Sequence, residues 1–405
     1  MRLWLGGYTA DMGGHASGIG TLLAGSADDG SAGGALSFTG TAVAVDSPSW
    51  LAQHPALDVV YASLEAAGTV AAFVRTGEST FSPLGRPVEA GAAVCHVAVA
   101  PDAGSLIASC WGDGRVVRMA LDSAGRPSAP ALGAAAADPF AGPVDPFASA
   151  AQEFTSRDTS MEIDLAAAAR SLRAAAGDEF SHLVPGYDEV GDPPDPGEPT
   201  VDAVDPERVS RAHAALFLPD GRIATTDLGF DLVRIWRPTR TGLRLDHEVV
   251  LPLGSGPRHM VLHPSGHLHV VTEFSCEVFT LGSGRDGRWS LLGGVAVSPP
   301  GTGRDTGAEL ARSRDGDFLY AGLRGSNTIA TLRVRGSGER VEPVALADSG
   351  VDWPRHHLVV RDTLLVAGQR SDDVVSLTLD ARSGVPGGVR HRAEIPTPTC
   401  LLPAR

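Results

Sequence analysis

A chain of 405 residues that is 43% hydrophobic and 5% aromatic can build a large buried core and is far from a disordered composition. Its formal charge of −15, with all 33 basic residues arginine, disfavours a general polyanion binder such as a nucleic-acid protein. The charge is uneven: residues 138–208 hold 16 Asp and Glu against 4 Arg, so −12 of the −15 lies there. No apolar run approaches the roughly 18 residues of a membrane span. Four scattered cysteines, Cys95, Cys110, Cys276 and Cys400, lack any Cys-x-x-Cys spacing and suit buried thiols of a reducing compartment. The opening Met1–Thr9 reads as a first strand rather than a signal peptide. The expected location is the cytoplasm.

In chain order, residues 2–24 carry two short apolar runs, LWLGGYT and GIGTLLA. A fuller pattern then begins: an alternating apolar segment, a turn with Pro-Asp or Asp-Gly, a second apolar run, a polar turn and a third strand. It occupies 49–75 (SWLAQHPALDVVYASLEAAGTVAAFVR) and 95–121 (CHVAVAPDAGSLIASCWGDGRVVRMAL). Residues 123–210 interrupt it. There, Ser160 caps an Ala-rich run predicted to be helical to about Ala176, flanked by Pro- and Asp-rich loops. The pattern resumes at 213–237, 258–281, 309–334 and 355–379.

Six copies at a spacing of about 46–50 residues match propeller blades, and 2–24 supplies a seventh, incomplete one. The tail 391–405 is expected to complete that first blade and so close the ring. The regular spacing disfavours a β-sandwich. The fold class is therefore all-β, a seven-bladed β-propeller with a helix-containing insertion between blades three and four. Blades one to three fall in 1–122, the acidic insertion in 123–210, and blades four to seven with ring closure in 211–405.

Within a blade, the start of the first strand and the end of the second share one mouth of the central channel. Aligned on their turns, the first-strand starts read Ser49-Trp50, Cys95-His96, His213-Ala214, Arg258-His259, Glu309-Leu310 and Arg355-His356. The second-strand ends read Glu65, Trp111, Leu228 (beside Asp227), Glu273, Arg324 and Gln369. Channel mouths are wet and collect polar residues, but so many His, Arg and Glu in two columns suit a small anionic ligand. Arginine offers bidentate carboxylate or phosphate recognition, and Glu or His can move protons.

The run His259, His263, His267, His269 invites a metal reading. However, His263 and His267 flank a Pro-Ser-Gly turn several residues along the strand from His259. No metal and no cofactor are expected. The chain has no P-loop and no Gly-x-Gly-x-x-Gly strand–helix unit, and Gly254-Ser255-Gly256 sits in a blade linker rather than at a nucleophile elbow.

The stretch GSGPRHMVLHPSGHLHVVTEFSCEVFTL (254–281) resembles the Gly-Pro-Arg-His … Glu blade of the seven-bladed β-propeller lactonase family. DGDFLYAGLRGSNTIATLRV (315–334) is similar to its Asn-Arg-Gly blade, without the Asn, and HAALFLPDGRIATTDLG (213–229) to its His-bearing one. The family includes propeller-type 6-phosphogluconolactonases and 3-carboxy-cis,cis-muconate lactonizing enzymes. The resemblance places the lactonizing enzymes' one His, two Arg and one Glu on His213, Arg258, Arg324 and Glu273.

The expected function is a lactonase opening, or reversibly forming, a small anionic lactone in the channel, with no nucleic-acid or membrane partner. Arg258 and Arg324 would hold the substrate anion and stabilise the oxyanion; Glu273 would act as acid/base or activate water, with His213 assisting. His259, Arg355, His96 and Gln369 are expected to bind substrate. A carboxymuconate-type cycloisomerase would use the same residues, and a non-catalytic propeller binding a partner is the alternative from another class. A calcium-dependent lactonase would need a carboxylate cage from Glu65, Asp227 and Glu273, which the neighbouring arginines oppose. Because the arginines repel one another, neutralising Glu273 is expected to cost little stability.

Overall fold

The computed structural model describes residues 1–28, 30–141, 208–298 and 305–405. The described residues form a ring of seven antiparallel blades, each of four strands; blade two carries one further short pairing, Val88–Glu89. Among them the helical content is one 3-10 turn, Ala10–Met12. The helix expected at 160–176 lies outside the described residues.

Blade three runs through Pro127–Leu132, its outer strand, so the blade extends past the expected boundary at 122. Turn-like PSAPAL, five of whose six residues are at least partly exposed, has no apolar alternation to announce a strand.

The second strands explain why so many runs are continuously apolar. VVYASL (Val59–Leu64), SLIASC (Ser105–Cys110) and TLLVAG (Thr363–Gly368) are buried at every position, because each blade packs a neighbour on both faces. Outer strands alternate instead, as in Leu36–Val43. Seven separate apolar clusters fill the seven contacts between successive blades. Ile107, Val116, Ala212, Ile223 and Trp236 join blades three and four, and Leu3, Leu22, Leu365, Val374 and Leu401 join blade seven to blade one.

The ring closes through the chain termini. Pro398–Pro403 is the innermost strand of blade one, and Arg2–Gly7 is its second strand, paired from Leu3↔Pro403 to Gly7↔Pro398. Residues up to Glu394 belong to the outer strand of blade seven, so the closing segment is shorter than 391–405.

One irregularity recurs in every blade. Near the mouth, the ladder between inner and second strand skips one inner-strand residue. Pro257 pairs with Thr272 and His259 with Val271, leaving Arg258 out; Pro354 pairs with Gly368 and His356 with Ala367, leaving Arg355 out. The same one-residue excess falls at Ser49, Cys95 and Thr399. It falls within His213–Ala214 and Ala308–Glu309 in blades four and six. A β-bulge re-aims the extra side chain and frees backbone groups. Seven bulges at one height make a ring of re-aimed residues around the channel.

Candidate active site at the channel mouth

The bulges position the site. Arg258 extends from the bulge of blade five, and Glu273 follows Leu268–Thr272, the second strand of that blade. Arg324 ends Phe318–Arg324, the second strand of blade six. The three meet: Arg258 Nε lies 2.9 Å and Arg324 Nη2 3.0 Å from Glu273 Oε2. Both guanidiniums also use carbonyls at the blade-six bulge, Arg258 Nη1 donating to Ala308 O at 2.7 Å and Arg324 Nη2 to Gly307 O at 3.0 Å. Both arginines are buried, whereas the Glu273 side chain keeps 21% exposure to the mouth. Burial, with the adjacent Arg258, lowers Arg324 to about 10.

His213 is buried, and its Nδ1 has no hydrogen-bond partner among the described residues. Burial, then the nearby Arg258, His96 and Arg355, hold it well below the ordinary imidazole value, so it is neutral at pH 7. Its backbone carbonyl accepts a long contact from the Cys95 thiol, 3.5 Å.

Across the mouth, Arg355 Nη1 donates to Gln369 Oε1 at 3.2 Å and Nη2 to the Tyr8 hydroxyl at 2.6 Å; Tyr8 donates to Glu65 Oε2 at 3.1 Å. Tyr8 follows Arg2–Gly7, the second strand of blade one, at the place that Glu273, Arg324 and Gln369 hold beside theirs. Sequence alignment of the blades missed it, because blade one is assembled from both ends of the chain. Gly6-Gly7-Tyr8 set against Ala367-Gly368-Gln369 is the signal that would have found it.

One residue further along the inner strands lies a second tier. The Trp50 indole contacts the rings of His96, His356 and His259 at centroid distances of 4.4, 5.2 and 5.6 Å. Glu309, aligned with Arg258 in the sequence, belongs here instead: its Oε1 lies 3.1 Å from His259 Nδ1. Burial pushes Glu309 well above the usual carboxylate range and holds His96 and His356 down to about 3. The backbone N–H of Ala215 donates to His96 Nδ1 and that of Leu401 to His356 Nδ1, both at 3.4 Å. Each neutral ring therefore carries its proton on Nε2. The second tier thus sets an indole, neutral imidazoles and a carboxyl held toward its protonated form next to the residues of the mouth.

Of the expected residues, Arg258, Glu273 and Arg324 are in contact, and Arg355 and Gln369 form a second pair. His213 sits within electrostatic reach of Arg258 and Arg355, whereas His96 and His259 lie in the tier below. The histidine run divides: His263 Nδ1 contacts Ser265 Oγ at 2.6 Å, His267 Nδ1 contacts the same hydroxyl at 2.8 Å, and His269 is buried against Thr280. Among the described residues, no helix is long and apolar enough to cross a membrane.

Comparison with known proteins agrees with this architecture. The model of the family described as "Lactonase, 7-bladed beta-propeller" matches residues 2–142 and 189–403. The periplasmic gluconolactonase PpgL of Pseudomonas aeruginosa is 18% identical, with a TM-score of 0.75 over 100% of this chain and 99% of that one. A Lactobacillus plantarum protein is 21% identical, with a TM-score of 0.73 over 99% and 98%. A candidate 6-phosphogluconolactonase of Bacteroides fragilis is 17% identical, with a TM-score of 0.72 over 99% and 96%. At these identities the likeness shows the fold.

An uncharacterized Lactococcus lactis protein, YwcC, is 29% identical over 205 residues, 49% of this chain and 60% of that protein. A Staphylococcus aureus protein is 29% identical over 177 residues, 52% of its length. The matches thus span about half of the curated relatives. With the family model matched across nearly all the described residues of the ring, the chain belongs to the seven-bladed β-propeller lactonase family.

Proposed function

We propose that the chain is a lactonase that opens a small anionic lactone at the bulge-ringed mouth. The observation that carries this reading is the Glu273 carboxylate held between the Arg258 and Arg324 guanidiniums, 2.9 and 3.0 Å away, and open to the mouth. A lactone carbonyl drawn to those guanidiniums loosens the bridge, and its oxygen takes the carboxylate's place as their acceptor. Water then adds to the carbonyl carbon while Glu273 takes its proton and the guanidiniums stabilise the oxyanion. As the intermediate collapses, the C–O bond to the ring oxygen breaks and Glu273 returns the proton to that oxygen, leaving a hydroxy acid. The unpartnered His213 Nδ1 offers a hydrogen bond to the water. No step calls on a metal or cofactor.

Lactonization by a cycloisomerase is a related proton transfer on the same residues, so both directions belong in the test. Hydrolysis of phosphogluconolactone, simple sugar lactones and muconolactones is followed by acid release, and lactone formation from carboxymuconate by ultraviolet absorbance. The reading expects turnover of at least one, lost in Glu273→Gln. No turnover of any would overturn it and favour a propeller that only binds.

The finer organisation is proposed with it: 123–210, less the blade-three strand, as an acidic insertion. A cytoplasmic location is supported by four buried, unpaired cysteines.

A further inference from the structure

Blades five and seven repeat one layout with a single change. In each, an arginine occupies the bulge and a long side chain directly follows the second strand. In blade five the pair is Arg258 with Glu273, an ion pair. In blade seven it is Arg355 with Gln369, the neutral near-isostere. The other direct partner of Arg355 is the Tyr8 hydroxyl. Burial raises Tyr8, so the phenol keeps its proton and donates it to Glu65, while its oxygen accepts from Arg355. Glu65 is therefore hydrogen-bonded to the phenol rather than to the guanidinium, on which its charge acts from further away.

A guanidinium has five N–H donors, and two of those on Arg355 are used. The other three have no partner among the described residues. Arg355 is half-buried, and its direct polar partners are an amide and a phenol, with the Glu65 and Glu273 carboxylates acting on it from further away. A guanidinium so placed favours an anion that brings its own compensation. The fork held by Tyr8 and Gln369 is oriented in advance, which suits bidentate capture of a phosphate or carboxylate.

We propose that Arg355, positioned by Tyr8 and Gln369, is a second anion subsite distinct from the Arg258–Glu273–Arg324 centre. The preferred ligand then carries a phosphate or carboxylate remote from its lactone carbonyl. The carbonyl end of this statement rests on the lactonase reading; anion capture by Arg355 does not.

The test has two arms. In the first, inorganic phosphate is titrated calorimetrically into the full-length protein, its Arg355→Gln, Arg355→Lys and Tyr8→Phe variants, and an exposed-arginine control, Arg314→Gln. Binding weakened about tenfold or more in Arg355→Gln, less in Arg355→Lys and Tyr8→Phe, and unchanged in the control is expected. Undetectable binding by the parent protein, or binding by folded Arg355→Gln and Arg355→Lys within about threefold of the parent, overturns the subsite. Melting temperatures of the variants establish that they fold.

In the second arm, kcat/KM is compared for gluconolactones bearing a 6-phosphate, a 6-carboxylate or neither. A preference for a charged lactone that falls about tenfold in Arg355→Gln, chiefly through KM, supports the subsite, and the preferred group distinguishes phosphate from carboxylate. A preference unchanged in that variant overturns it. Failure to open any lactone would sink the lactonase reading alone, and the phosphate titration would still decide the subsite.

Discussion

The backbone N–H of Leu401 donates to His356 Nδ1 at 3.4 Å, tying the closing strand of blade one to the second tier beneath the site. Leu401 also packs in the apolar cluster between blades one and seven. Ring closure and site geometry thus share a residue, since the strand that completes the fold also sets the tautomer of a channel histidine.

Truncation after Glu394 removes Pro398–Pro403 and exposes an edge of Arg2–Gly7. It also strips Cys400 and Leu401 from two interblade clusters. An unpaired inner edge and two opened apolar faces should lower the melting temperature on the order of 10 °C or more, or abolish cooperative unfolding. Thermal circular dichroism measures this, and an unchanged transition would show that the ring stands without its closing strand.

Acid should destabilise the fold through the buried histidines. His96 and His356 are held down to about 3 and His357 to about 4, each from an ordinary 6.5, chiefly by burial. Their folded-state values lie below the unfolded one, so between pH 6.5 and about 3 the unfolded chain binds more protons and stability falls as pH falls. Glu309 has the opposite sign: it is raised by burial, so its contribution is complete below the unfolded carboxyl value of 4.5 and is lost as pH rises through its folded value. The urea midpoint should therefore drop between pH 7 and 4.5, and His356→Asn should flatten that drop. Glu309→Gln should flatten any loss on the alkaline side. A midpoint independent of pH over that range counts against neutral buried imidazoles.

The described ends of the long insertion already meet. Arg208 pairs with Asp138 and with Asp231, both at 2.9 Å, and its guanidinium lies 5.4 Å from the Phe140 ring. Replacing 142–207 with a short Gly/Ser linker that keeps this clasp should leave cooperative unfolding intact, because the linker need bridge little distance. Loss of cooperativity in denaturant titration would show that the removed segment supports the ring. A cut from 123, where the sequence places the start of the insertion, would instead remove the outer strand of blade three.

Much of this molecule was legible in its residues, for specific reasons. The second strands announced themselves because burial on both faces demands unbroken apolar runs, as in Leu106–Ala108 and Leu364–Ala367. The mouth was legible because turns fix where a strand begins, and that located Arg258, Glu273, Arg324 and Gln369. What stayed hidden depends on register. The bulge that re-aims Arg258 has no sequence signature, and in blade six the excess residue lies within Ala308–Glu309, which moved Glu309 one tier deeper. Tyr8 was hidden because the inner strand beside it comes from the other end of the chain: Gly7 pairs with Pro398, and the Tyr8 N–H donates to Thr397 O.

Extensive chelation should leave turnover unchanged, since three guanidiniums at one mouth repel a cation there by on the order of several kcal/mol where poorly screened. Activity is measured before and after dialysis against a chelator. Loss restored by calcium or zinc would hand the site to a metal-dependent mechanism.

Glu273→Gln separates the chemical role of this residue from its structural one. Gln keeps size and hydrogen bonding but cannot take a proton, so turnover should fall on the order of a hundredfold or more. The sequence alone led to an expectation of little stability change, on the ground that clustered arginines repel. The geometry reverses that sign: one carboxylate oxygen lies within 3.0 Å of two buried guanidiniums, and neutralising it leaves Arg258 and Arg324 facing each other. Breaking a buried pair costs more than breaking an exposed one, but Glu273 retains 21% exposure, so a loss of about 1–3 kcal/mol is expected. Arg258→Ala should weaken binding and turnover together, because it removes both an anchor and oxyanion stabilisation. Added phosphate or chloride should restore stability in Glu273→Gln, where two positive charges stand unpaired, far more than in Arg258→Ala, where Arg324 keeps Glu273. Denaturant midpoints with and without anion, read beside initial rates, decide the matter: full stability with lost turnover would mean that the bridge does nothing for the fold. Lost stability with full turnover would remove Glu273 from the reaction.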